Sequence, residues 1–408
     1  MREPRSTSPI TFFFLVLPCG ISSGFVSVTL PFALTSAGFP VATTASILAI
    51  GMSAYVWRFL WAPVADLTLT LRRWYLVGLV ACSATLLLLG LTPLRQNAAG
   101  ILTAMVFLSQ VAATLVVLPL GGLMAHTVVE QEKGRAAGWY QGGNLGGAGI
   151  GGGAGVWLAS HFSNGVASAV LSAAMLICAA ALYFVPEVRT GTERLGQKMR
   201  EIGRDFRDML RSPIVLLTIF LFASPIGIGA ASNLWSAVAP DWHAGPNTVA
   251  LVTGFFNGLA CVLGCVVGGW LADRVGRWWV FFGSGTIMAL VGIIMAAAPR
   301  SVVAYASGVL FYAFSMGLAY AAFTALALHA IGRGAASAKY AILVSLGNVP
   351  CSYMTAFDGW MHDRFGSAGM LNSEALLGLG CILVGLLVLR QIKGNTPTQS
   401  PMITETAG

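Results

Sequence analysis

Charge is what this 408-residue chain has least of: Asp, Glu, Lys and Arg make up 9% of it, against 56% hydrophobic residues. Soluble domains carry about 25% charged residues, so a water-exposed globule is excluded and an integral membrane protein remains. Histidine is scarce as well, at 5 residues, and the 7 cysteines are odd in number and fall within apolar runs. Cys261 and Cys265 share a helical face but have no His or carboxylate beside them, so they read as small packing residues. No metal and no cofactor is expected. Soluble catalytic segments are missing too, along with any nucleophile elbow or phosphate loop. The glycine-rich stretch 142–155 follows no strand and lacks the Lys-Ser/Thr pair of a nucleotide loop. An enzyme is therefore not expected.

What the chain does have is apolar length. A hydrocarbon layer of about 30 Å takes roughly 20 helical residues to cross, and short polar breaks cut the chain into twelve such segments. They lie near 9–36, 41–65, 74–92, 97–125, 136–160, 164–185, 213–239, 247–272, 278–298, 301–330, 338–361 and 371–390. Arg2 and Arg5 precede the first run, but no small-residue cleavage pattern closes it, so it reads as an uncleaved first span. Cationic residues are retained on the cytoplasmic side of short loops. Counted over alternate loops, twenty of the 23 Lys and Arg fall on one side, leaving Arg95, Arg300 and Arg364 on the other. Both termini are then expected in the cytoplasm, and the net charge of +8 is a topology signal and not a nucleic-acid one. The partners expected are the lipid bilayer and a small-molecule solute, with a monomer as the working unit.

The chain also repeats itself. Phe59 to Asp66 reads Phe-Leu-Trp-Ala-Pro-Val-Ala-Asp, and Gly268 to Asp273 reads Gly-Gly-Trp-Leu-Ala-Asp, each ending an apolar segment about half a chain from the other. The offset holds elsewhere: Trp157 and Phe162 match Trp360 and Phe365, His126 matches His329, and Asn144 matches Asn348. Two copies of a six-helix unit beginning on the same side make a parallel repeat. The expected domains are a bundle at 1–188, a cytoplasmic amphipathic linker at 189–211, a second bundle at 212–390 and a disordered tail at 391–408.

Gly269-Trp-Leu-Ala-Asp273-Arg274-Val-Gly276-Arg277 closely resembles the G-x-L-A-D-R-x-G-R signature of the major facilitator superfamily. The first copy departs from it, with Ala62 where Gly is usual and Leu67 and Thr68 after Asp66. Arg58 to Asp66 instead resembles the basic-F-L-W-A-P-x-x-D run of the AmpG-type permeases, a branch with muropeptide, siderophore and acetyl-coenzyme A transporters. The resemblance implies an all-α membrane fold of twelve transmembrane helices in two pseudo-symmetric six-helix bundles. It also implies that Asp66 and Asp273, with Arg58, Arg274, Gly276 and Arg277, latch the cytoplasmic gate against the N-terminal ends of helices eleven and five. The glycine stripe of helix five, Gly143, Gly147, Gly151 and Gly155, permits close backbone contact. No proline occurs between Leu120 and Val185, so the Gly-Pro element usual in the superfamily's drug/proton antiporters is absent.

A solute site should lie at the midplane between the halves. Buried amides are the best candidates, since one helical turn cannot satisfy their four hydrogen-bonding sites. They are Gln110, Gln141, Asn144, Asn233, Asn257 and Asn348, with the aromatic residues Trp235, Tyr312 and Tyr320 beside them. Serines such as Ser22, Ser23 and Ser109 are weaker candidates, because a hydroxyl can bond back to its own helix. The midplane is expected to hold almost no formal charge, which suits a neutral or zwitterionic solute. Asp358 with His362 at i+4 is the best-placed proton-coupling pair, and a helix-end ion pair of Asp358 with Arg364 is the plainer reading. The expected function is secondary active transport by rocker-switch alternating access in a bacterial inner membrane. Import of a muropeptide-like or siderophore-like molecule, possible as proton symport, is favoured over an efflux permease or a non-transporting membrane sensor.

Overall fold

The computed structural model describes residues 7–58, 60, 69–128, 133–187, 200, 204, 207, 213–331, 343 and 345–394. Twelve helices run through the described residues, and no strand is found among them. They are α1 (Thr11–Ser36), α2 (Val41–Met52, extended over 54–58), α3 (Leu71–Leu91), α4 (Ala99–Thr127), α5 (133–161) and α6 (164–184). The second set is α7 (Pro213–Ala223, resumed after a break by short turns over 230–242), α8 (246–275), α9 (Arg277–Ala297), α10 (Val302–Ile331), α11 (349–365) and α12 (367–394). Eight of the described helices, counting α11 and α12 as one, are long and apolar enough to cross a membrane.

Where the ends lie within the described residues, the expected segment boundaries agree with these helices to within a few residues, with one correction; the expected end of the second segment at 65 and start of the eleventh at 338 lie outside the described residues. Helix seven is not a continuous span over 213–239. It stops at Ala223 and resumes at Ala230, and both Gly227 (φ 69) and Gly229 (φ 70) take left-handed backbone. A side chain on either would be strained there. Non-helical backbone at membrane depth needs its polar groups satisfied by the surrounding protein. The Tyr353 hydroxyl does this for the last helical carbonyl, donating to Ala223 O at 2.9 Å.

Glycines set how closely α1 and α5 pack. A Cβ on Gly143 would strike Phe13 O, one on Gly147 would meet Leu17 O at 2.6 Å, and one on Gly151 would strike Ile21 O. The four-residue stripe is thus the face that lies on α1. A second face, Gly149 and Gly153, meets Gly254 of α8 across the two halves. At this level α1, α5 and α8 each open into a π-turn, over Phe25–Thr29, Ile150–Ala154 and Ala250–Phe256, and the three turns touch in series. Thr29 Oγ1 donates to Gly151 O at 2.8 Å and Gly152 O at 3.2 Å, supporting carbonyls at the register change.

The repeat is visible in matched details. Trp157 stacks on His161 four residues on, with ring centroids 4.7 Å apart, and its partner Trp360 carries the Arg364 guanidinium at 4.5 Å, again four residues on. Phe162 and Phe365 are both exposed. The last helix runs to Gly394, four residues beyond the expected end at 390. Residues 189–211 of the linker, apart from 200, 204 and 207, and residues 395–408 of the tail lie outside the described residues.

Candidate functional site

Two polar clusters face each other inside the bundle. In the first half, α1, α2 and α4 contribute an uncharged one. Gln110 is 1% exposed. Its Oε1 accepts from Tyr55 OH at 3.2 Å and its Nε2 donates to Ser22 Oγ at 3.5 Å. Ser23 and Tyr55 hydroxyls lie 2.7 Å apart, and those of Ser22 and Ser109 3.2 Å apart. Each of these bonds joins two helices. Thr114 and Ser315, by contrast, bond back to Val111 O and Phe311 O on their own helices, as hydroxyls in spans commonly do.

The second cluster gathers around the break in α7. Asn233 Nδ2 donates to Thr355 Oγ1 at 3.0 Å and lies 3.5 Å from Cys351 Sγ. Trp235 is buried, its ring edge-on to Tyr312 at 5.2 Å and its carbonyl accepting from Tyr305 OH at 2.7 Å. Tyr312 OH donates to Glu374 Oε1 at 2.9 Å, and the Ala230 N–H, freed by the break, donates to the same oxygen at 3.1 Å. Asp358 is 0% exposed, neither carboxyl oxygen has a hydrogen-bond partner, and it interacts electrostatically with Glu374. The midplane is expected to hold almost no formal charge, and two carboxyl groups, Asp358 and Glu374, lie buried beside this cluster. The clusters adjoin across the halves, since Cys351 Sγ lies 3.7 Å from Met52 Sδ and Met52 stands one turn from Tyr55 on α2.

The remaining candidates are scattered. Gln141 is exposed and Asn144 half-buried on α5. Asn257 is half-buried on α8 with its Oδ1 unpartnered. Tyr320 is 52% exposed, its ring near Phe323, and Asn348 is half-buried just before α11.

The proton-coupling expectation changes at Asp358. Arg364, its expected ion-pair partner, stacks on Trp360 instead, and His362 turns to Asp241, with Nε2 2.8 Å from Oδ2. Asp241 also accepts from Ser367 Oγ, while Arg300 stacks on Trp242 at 4.3 Å. Burial alone would raise the Asp241 carboxyl, but its bonds to His362 and Ser367, with the charges of His362 and Arg300, hold it below its ordinary value. Next to this group, Asp363 Oδ2 accepts the Ala42 N–H at 3.0 Å, capping the N-terminus of α2 from the other half. Gly359 packs against Ala45 and Val41 of the same helix. The halves are thus joined on the arginine-poor side by α2 with α11, α5 with α8, and the outer turns of α7 with α1.

On the arginine-rich side, Asp66 lies outside the described residues, as do 334–338 and the side chain of Asp273. Arg58 is half-buried at the end of α2. Arg274 stacks on Trp270 at 4.3 Å, Gly276 ends α8 at φ 100, and Arg277 opens α9. The groups that sequence reasoning missed are Glu374, Tyr55, Thr355, Asp241 and Asp363. An acid inside an apolar run was the available signal for Glu374.

The family model for the Major Facilitator Superfamily matches residues 12–353. No curated protein matches the chain. Solved structures with the same fold include a POT family transporter in complex with 5-aminolevulinic acid, with a TM-score of 0.73 and 13% identity over 94% of this chain and 96% of that one. A D-xylose-proton symporter has a TM-score of 0.73 and 15% identity over 93% and 96%. A nucleoside transporter has a TM-score of 0.71 and 9% identity over 94% and 98%.

Proposed function

The chain belongs to the major facilitator superfamily, and on that premise we propose that it is a secondary active transporter moving a small organic solute by rocker-switch alternating access. The observation that carries the reading is the pair of adjoining polar clusters at the contact between the halves. An amide and hydroxyl wall built from Ser22, Ser23, Tyr55, Ser109 and Gln110 offers donors and acceptors without charge, which suits a neutral or zwitterionic solute. Asn233, Trp235 and Tyr312 form the opposite wall. With the halves joined on the arginine-poor side, this conformation is one with the outer gate shut.

The AmpG-like run from Arg58 to Asp66 supports a muropeptide-like or siderophore-like cargo and import across a bacterial inner membrane, with both termini cytoplasmic. The cytoplasmic latch is assigned to Asp66 and Asp273 with Arg58, Arg274, Gly276 and Arg277, and the outer latch to Asp363 on the first turn of α2. The protein works as a monomer, its two bundles tethered by the linker at 189–211. Uptake into proteoliposomes of muropeptides, siderophores and acyl-coenzyme A, compared side by side with and without a proton gradient, tests the reading. Accumulation of one panel member is expected. Saturable binding with no accumulation of any would mean a sensor.

A further inference from the structure

Asp358 and Glu374 have no part in the neutral solute wall, yet burying carboxyl groups in a membrane span costs roughly 3 kcal/mol each when charged. Gly366 explains how they meet. Asp358 lies eight positions before it and Glu374 eight positions after it. On one straight helix, sixteen residues would separate them by about 24 Å, too far for the interaction they have. At Gly366 the backbone leaves the helix (φ 67, ψ −174), so α12 returns along α11 and the two acids arrive at the same depth, about 12 Å in from the turn.

We propose that Asp358 and Glu374 form a shared proton site that couples the transport cycle to proton movement. This deepens the transport reading and rests on it. The two ends of the pair are differently equipped. Glu374 Oε1 receives two donors, Tyr312 OH and the Ala230 N–H, whereas neither oxygen of Asp358 receives any. With the outer gate shut, the pair holds one negative charge, on Glu374, and one proton, on Asp358. Oxygen already surrounded by donors is poorly placed to ligate a metal cation, which needs acceptors. The ligand proposed is a proton, and sodium is the alternative that the test separates.

The coupling runs through α7. Ala230 belongs to the segment beyond the break, and that segment leans on α1 of the opposite half. When the halves rock open on the outer side, the donor withdraws with it and Glu374 takes up a second proton from the outer water. Closure returns the Ala230 N–H to Oε1, and one proton leaves toward the cytoplasm, restoring the single negative charge. The ionisable groups facing the pair are Tyr312 from α10 and Cys351 from α11. The segments packed on α11 and α12 carry further ionisable groups at Asp241 in the last turn of α7, Arg277 on α9, and Tyr305, Tyr320 and His329 on α10, while α2 carries none over 41–52.

The test needs no solute. Full-length protein in nanodiscs is titrated from about pH 5 to about pH 9, spanning ordinary and raised carboxyl values. Infrared difference spectra are recorded in choline chloride and in sodium chloride. A protonated-carboxyl band that titrates and is indifferent to sodium is expected, its titrating part lost in Glu374→Gln and its pH-independent part lost in Asp358→Asn. A band absent from the wild type, unaltered in both variants or abolished by sodium would overturn the proposal. Should either variant fail to fold, Tyr312→Phe keeps the ring and removes one donor, and its titration midpoint should move up by about one unit; an unmoved midpoint would count against the site. Failure here, with uptake intact, removes the coupling assignment alone. A titrating band without uptake of any panel member removes the transport reading and leaves the proton site.

Discussion

The two halves carry the same helices in the same order, but their central polar clusters differ in kind. Gln110 and its hydroxyl partners in the first half form a neutral network in which every bond ties one helix to another. The second half places two carboxyl groups, one with no hydrogen bond at all, beside a helix that has lost its regular backbone. A satisfied network rigidifies, and an unsatisfied buried group is costly. The contrast shows a division of work: the first half presents a fixed wall to the solute, and the second holds the part whose energy changes through the cycle.

Making the two halves alike should break the account most visibly. Gln110→Glu puts a carboxyl into the neutral wall, and a cost of about 3 kcal/mol should appear as a large drop in melting temperature and folded yield. The mirror experiment removes the acid from the other half. Asp358→Leu exchanges an unpartnered buried carboxyl for an apolar side chain of similar size and should stabilise the protein by about 1–3 kcal/mol. A lowered melting temperature would contradict the unsatisfied state of Asp358.

Smaller effects sharpen the comparison at the outer gate. Asp363→Ala removes the cap that α11 supplies to α2. A loss of about 1 kcal/mol should shift the balance about fivefold toward outward-open, read from a spin-label distance between the two helix ends. The smallest effect concerns Asp241, whose carboxyl is held below its ordinary value. A depressed Asp stabilises the fold above its unfolded value and loses that contribution as pH falls through the folded one. Asp241→Asn should therefore lower the melting temperature at neutral pH, with the difference from wild type starting to shrink below about pH 3.9 and vanishing only below the lower folded value. A difference that grew on acidification would give the stabilisation to His362 instead.

Much of this was legible in the chain itself. Segment boundaries, the stripe at Gly143, Gly147, Gly151 and Gly155, and Gln110 and Asn233 as cross-helix amides depend on local pattern, and local pattern is what a sequence displays. The break in α7 was harder, because Pro225-Ile-Gly-Ile-Gly229 sits in a run apolar enough to read as one span; a proline followed by two spaced glycines was the signal. Glu374 became meaningful only with Gly366 taken as a hairpin turn equidistant from it and Asp358. The pairing of His362 with Asp241 joins residues 121 positions apart, and no spacing rule reports such a contact.

The division of work between the halves can be read in one experiment. Proteoliposomes loaded with a pH-sensitive dye receive an external pulse of whichever panel solute the wild type accumulates, and internal acidification is followed. Wild type should acidify on the pulse. Gln110→Ala, having lost buried hydrogen bonds worth about 1–3 kcal/mol, should acidify to the same extent but only at roughly tenfold or higher solute concentration. Glu374→Gln should exchange labelled for unlabelled solute and never acidify. Acidification by Glu374→Gln at the wild-type rate would contradict the account.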